Sequence, residues 1–144
     1  MGSWLVGLIL AGLFRNTGFY RSLSNLNLVK NETVNKLMGI GICRWIVKNT
    51  PFKYLNQKLK LKNKIEPGQL VELRNEMTFA EISHWMAFAC VAVYAVVMSV
   101  LGNVTWAMML MTVNVFLNAY PSLLQQQNKR RVDRFLKRTG YVSR

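Results

Sequence analysis

No lysine or arginine occurs from Phe79 to Gln127, although the chain of 144 residues holds 19 of them. Few folds accommodate such a stretch. A soluble basic domain intersperses its cations with apolar residues, and here the two are segregated. One apolar run covers about residues 79–101 and another about residues 104–125. Each matches or exceeds the roughly 20 residues needed to cross the hydrocarbon core of a bilayer. Gly102-Asn103 between them is long enough only for a tight turn. The expected fold is therefore all-α and integral to a membrane, a single domain built on an antiparallel transmembrane hairpin.

The cations orient that hairpin. Twelve lie between Arg15 and Arg74 and seven from Lys129 to Arg144, against only 6 Asp plus Glu in the whole chain. A net charge of +13 and a pI near 10.3 would also suit a nucleic-acid binder. Segregation instead sets these charges beside anionic headgroups, so no nucleic-acid partner is expected. By the positive-inside rule the loop 15–77 and the tail 128–144 are cytoplasmic and the turn at 102–103 is outside. The expectation is a multi-pass cell-membrane protein, N-terminus out and C-terminus in.

A shorter apolar segment, about residues 2–14, predicts an N-terminal helix of roughly 20 Å, short for a full span. An interfacial anchor is the alternative for it, and the absence of a basic leader and cleavage site argues against a signal peptide. Within the loop, Lys36 to Lys48 is apolar and fenced by cations, with Trp45 placed to sit at headgroup depth. It predicts a cytoplasmic interfacial helix, ended at Thr50-Pro51 because a residue before proline avoids the helical region. Residues 55–64 (LNQKLKLKNK) alternate apolar and basic, which suits a membrane surface or a solvated linker. Glu66-Pro67-Gly68-Gln69 marks a turn.

The residue inventory excludes several chemistries. Two cysteines without a CxxC, and a single histidine, give no zinc or disulfide framework. A nucleotide site would need a Gly-rich phosphate loop, and none is present. No HExxH or nucleophile elbow occurs, and one histidine supplies neither a haem pair nor a di-iron centre. No metal or cofactor is expected.

What remains is a small polar set inside the apolar runs. Glu81 and His84 lie three residues apart, on one helical face. Asn114, Asn118, Pro121, Gln125 and Asn128 follow at steps of 4, 3, 4 and 3, one polar stripe on the partner helix. In a hairpin that turns near residue 102 or 103, Glu81 stands level with Leu124 and Gln125, and His84 with Pro121. An ionisable group costs about 2.5–3.5 kcal/mol or more at mid-bilayer, so such residues carry a reason. The structural alternative is that Glu81 pairs with Lys129 or Arg131 near the interface and the asparagines join helices, at about 0.6 kcal/mol each. The chemical reading is general-base catalysis, with His84 as base and Glu81 holding the imidazole in one tautomer.

Ala80-Glu81-Ile82-Ser83-His84-Trp85 resembles the AExxHW signature of the glycosyl-4,4'-diaponeurosporenoate acyltransferase family. Asn118-Ala119-Tyr120-Pro121-Ser122-Leu123-Leu124-Gln125-Gln126-Gln127-Asn128-Lys129-Arg130-Arg131 resembles its N-x-Y-P-x-L-L-Q-R-Y-N-R-x-R pattern. The departures are Gln126 and Gln127 in place of Arg-Tyr, and Lys129 in place of Arg. The resemblance implies a small bacterial membrane enzyme that esterifies a sugar hydroxyl of a carotenoid glycoside or related glycolipid. On that reading Asn118, Gln125 and Asn128 contact the acyl carbonyl or the sugar. Arg131 and Arg44 hold a phosphate-bearing donor, acyl-CoA or a phospholipid. The runner-up is a non-enzymatic membrane subunit that docks a partner or anionic lipid through its basic face. A membrane methyltransferase is a third reading, which lacks a locatable nucleotide-cofactor site.

Overall fold

The computed structural model describes residues 2–24, 41, 45, 49, 67–138 and 140. Among them all regular structure is helical. Helix α1 covers Gly2–Phe14, α2 Gly18–Ser24 and α3 Pro67–Val100. Helix α4 covers Val104–Asn114, a π-helical turn Val115–Ala119, and α5 Tyr120–Arg138. The last three run on as one helical rod, 104–138, which with α3 makes two helices long and apolar enough to cross a membrane.

The turn between the two is built by glycine. Gly102 sits at φ +85°, the left-handed region that a Cβ disfavours. Its N–H donates to Ser99 O at 3.1 Å, and that of Asn103 reaches back to Met98 O at 2.9 Å. These bonds satisfy carbonyls that the end of α3 would otherwise leave open, in the manner of a Schellman cap. The next helix starts at once, with Ala107 N–H donating to Asn103 O at 3.0 Å. Around this end the side chains point outward: Val100 is 81%, Leu101 67% and Met108 67% exposed. Water does not tolerate an apolar band of that extent on a monomer. Lipid does.

Both helices outrun their apolar segments. Helix α3, with 34 residues, is about 51 Å long, against a hydrocarbon core of about 30 Å. Helix α2 lies inside the expected loop 15–77, and the last eleven residues of that loop form the start of α3. The turn expected at Glu66-Pro67-Gly68-Gln69 is likewise a helix start, with Pro67 at the first helical position. Proline is at home there, because its fixed φ is helical and its missing N–H would have no partner anyway. At the other end α5 carries the rod through Lys129 to Arg138, where a tail was expected. Beyond the apolar band the two rods hold together through Leu70 and Met77 of α3 against Val132 and Leu136 of α5. Arg74 Nε donates to Asp133 Oδ1 at 2.5 Å beside them.

Helix α1 packs on α3 through small residues. A Cβ on Gly7 would stand 2.2 Å from Ser83 O and 2.9 Å from Ala87 Cβ. Ala11, one turn on, and Ser83 and Ala87 opposite are all fully buried, a small-xxx-small seam on both helices. The Arg15 guanidinium lies 5.9 Å from the centre of the Phe79 ring. With Gly7 beside Ser83 and Ala87, this makes α1 antiparallel to α3. Its N-terminal tip lies level with about residue 90, roughly 15 Å short of the turn at 1.5 Å per residue. Of the expected interfacial segment only Gly41 and Trp45 are described, both helical like Asn49 just beyond it, with Trp45 exposed. The rest of it, Arg44 included, lies outside the described residues.

Gly7 is the position where the seam is tightest. A Gly7→Val chain should lose about 1–3 kcal/mol, the usual cost of forcing atoms into a packed interface. Its melting temperature in detergent should fall, while Gly12→Val, at a site open to 4 Å, should melt as the parent does. Equal melting of the two variants would mean that α1 is not held by this seam.

Candidate functional site

The polar residues of the hairpin meet between α3 and the rod opposite, and the π turn decides which ones. Proline at 121 has no N–H and its ring collides with the carbonyl four residues back, Leu117. The preceding turn widens: Tyr120 N–H bonds to Val115 O, five residues back, in place of residue 116. Each π turn accommodates one extra residue, so every side chain after Ala119 faces one position later than an unbroken α-helix would place it. The inward stripe expected at 114, 118, 121, 125 and 128 is observed at Asn114, Asn118, Ser122, Gln126 and Lys129, all buried.

Two networks result. The first is neutral. Asn114 Nδ2 donates to Phe88 O across the hairpin at 3.0 Å. Asn118 Nδ2 donates to Asn114 Oδ1 at 2.8 Å, and Asn118 Oδ1 lies 3.4 Å from His84 Nδ1. The asparagines are buried and the imidazole is half-buried. The second is ionic and sits one turn away along α3. Glu81, 1% exposed, takes a hydrogen bond from Gln126 Nε2 at 2.8 Å. Its other oxygen pairs with Lys129 Nζ at 2.5 Å. Lys129 Nζ also donates to Ser24 O at 3.0 Å, the carbonyl that ends α2, where a cation is favoured by the helix dipole. Ser122 Oγ donates to the Glu81 carbonyl at 3.2 Å, so one residue of α3 is bonded from three positions on α5.

The expected Glu81–His84 contact is not made: the carboxylate is taken by Gln126 and Lys129, and the imidazole by Asn118. Asn118 is in the site as expected. Gln125 and Asn128 are half-buried, turned off the inner stripe by the π turn, and Gln125 Oε1 is buried with no hydrogen-bond partner. Arg131 is exposed. Ser122 and Gln126 did not figure as site candidates. Their signal was present, since Pro121 in the middle of an apolar helix announces a break in the bonding ladder. Trp85 Nε1 is a second buried polar atom without a partner, on the residue next to His84. Among the described residues no group of three or more His, Cys, Asp or Glu could hold a metal ion.

The model of the glycosyl-4,4'-diaponeurosporenoate acyltransferase family matches residues 16–138. The chain belongs to that family. Its name denotes an acyltransferase, and both networks lie inside the matched span. No curated protein and no solved structure matches the chain. Two of the three departures from the family pattern noted above, Gln126 and Lys129, are the residues bonded to the Glu81 carboxylate.

A buried ion pair is costly to break from one side, because the survivor stays charged in a dry place. Lys129→Met should therefore destabilise the detergent-solubilised protein by about 3–5 kcal/mol. The double variant Glu81→Gln/Lys129→Met should recover most of that loss. A double variant no more stable than Lys129→Met would show that the pair is not the origin of the effect.

Proposed function

We propose that this chain is a membrane acyltransferase that moves a fatty acyl group from acyl-CoA or a phospholipid to a sugar hydroxyl of a glycosylated lipid, with His84 as general base. The observation that carries the reading is that the only histidine of a member of this family is held by a buried asparagine at a membrane helix pair. In the reaction the imidazole takes the proton of the acceptor hydroxyl, and the oxygen forms a bond to the acyl carbonyl carbon. The tetrahedral intermediate then expels the thiolate of CoA or the glycerol alkoxide of a phospholipid. The departing group recovers the proton from the imidazolium. Such assistance is worth about 10²–10⁴ in rate.

Supporting groups fall into place around that step. Trp85 Nε1 is an open buried donor and Gln125 Oε1 an open buried acceptor, and an unmet buried polar group costs about 1–3 kcal/mol. Polar groups of a bound substrate would meet such atoms. Arg131, exposed on α5, and Arg44 suit the phosphate of a donor. Asn128, half-buried on α5, would serve as a further polar contact. Glu81 does not touch the imidazole and serves as a positioning residue that fixes α5 and the end of α2. The positive-inside rule puts all of this at the cytoplasmic face, with the 102–103 turn outside.

Two experiments bear on this reading. His84→Gln and His84→Ala should abolish acyl transfer to glycolipid, followed by mass spectrometry of lipids from expressing cells, while the proteins elute and melt as the parent does. Full transfer in His84→Gln would rule out His84 as the base, the tolerance expected if the chain were instead a non-enzymatic subunit. For orientation, a cysteine at Asn103 should react with an impermeant maleimide on intact cells, and one at Arg138 only after lysis. The reverse pattern would move the site to the outer face.

A further inference from the structure

We propose that Asn114, which does not touch the imidazole, dictates its tautomer through Asn118, holding the proton on Nδ1 and leaving Nε2 as the proton acceptor. Only the consequence for catalysis rests on the acyltransferase reading; the tautomer itself follows from the bonding chain.

The chain is anchored at one end by a group that cannot change roles. Phe88 O is a backbone carbonyl and only accepts, so the Asn114 atom 3.0 Å from it is the amide nitrogen. That turns Asn114 Oδ1 toward Asn118, where the atom at 2.8 Å must donate and is therefore Nδ2. Asn118 is then left with its oxygen toward the ring. An oxygen facing His84 Nδ1 at 3.4 Å accepts only if Nδ1 carries the hydrogen. Flipping either amide sets two acceptors or two donors face to face in a buried site, and each such clash leaves groups unmet at about 1–3 kcal/mol. The tautomer of a histidine is set by the bond its other nitrogen makes, and here that bond is decided two residues away. In triad-type sites a carboxylate does this work; here Glu81, three residues from His84 on α3, is engaged by Gln126 and Lys129. Neutral amides fix the tautomer without adding charge between the helices.

The chain's only histidine makes the test direct. The full-length protein, labelled with ¹⁵N-histidine and held in detergent micelles, gives one imidazole pattern in long-range ¹H–¹⁵N correlation spectra. Above the imidazole's titration, the parent should show protonated Nδ1 and bare Nε2. Asn114→Asp, its carboxyl kept protonated by burial, still donates an O–H to Phe88 O and accepts from Asn118 Nδ2, and should retain that pattern. Asn114→Leu and Asn114→Ala free the Asn118 amide to turn, and the single Nδ1–H species should be lost to a mixture or to Nε2–H. If packing alone mattered, leucine, which has the same branched skeleton as asparagine, would serve as well as aspartate. A parent spectrum of the Nε2–H form overturns the proposal without any variant. So does an unchanged Nδ1–H pattern in whichever apolar Asn114 variant remains folded. Because the readout is spectroscopic, a correct tautomer in a chain that transfers no acyl group would sink the enzymatic reading alone.

Discussion

Proline lacks an amide hydrogen, and in an apolar helix no water stands ready to compensate a carbonyl left open. At Pro121 that constraint is met by a π turn, and most of the interior follows from it. One extra residue in the turn rotates α5 relative to α4, so that Ser122, Gln126 and Lys129 face inward. Without it Gln125 and Asn128 would face α3, and Glu81 would meet an amide in place of an ammonium group. π turns recur at functional sites for this reason: they re-aim side chains without breaking the helix.

The re-aimed Lys129 then links elements far apart in sequence. It joins Glu81 of α3 to the last carbonyl of α2, 105 residues away. A buried pair of this kind adds little net stability compared with well-packed apolar residues. It specifies register, because only one sliding position of α5 along α3 puts cation, amide and hydroxyl on the same glutamate. The small-residue seam of α1 specifies register on the other side of α3 by shape alone.

The two networks divide the tasks of the site. The ionic one lies toward the basic ends of the helices and fixes three elements. The neutral one lies one turn deeper and presents an imidazole backed by amides. Keeping them apart matters electrostatically. A carboxylate already paired with Lys129 exerts little field on His84, so the imidazole is held by dipoles fixed in place rather than by a neighbouring charge. In the proposed reaction a neutral base of that kind would gain a positive charge only while it carries the proton, which is when a developing oxyanion would be close by to balance it.

Much of this was legible in the linear sequence, for local reasons. Crossing a membrane depends on length and apolarity along one helix, so the hairpin, its Gly102-Asn103 turn and the short first helix could be read directly. Glu81, His84 and Asn118 stood out because polar groups are costly in an apolar run. Helix ends were less legible: a proline that looks like a turn is also a good first helical residue, and Pro67 is the latter. Which partner each polar residue takes was decided only in three dimensions. Counting in steps of 3.6 assumes an unbroken ladder, and the π turn before Pro121 advances the count by one. Gly7 reads as any glycine until Ser83 and Ala87 are laid against it, because a contact between residues 76 and 80 positions apart leaves no periodicity to detect. The sequence by itself determined an apolar helical hairpin with one histidine and one glutamate on a shared face. Tertiary structure decided that they serve different networks, since hydrogen bonds are assigned by distance and direction between helices and not by spacing along one.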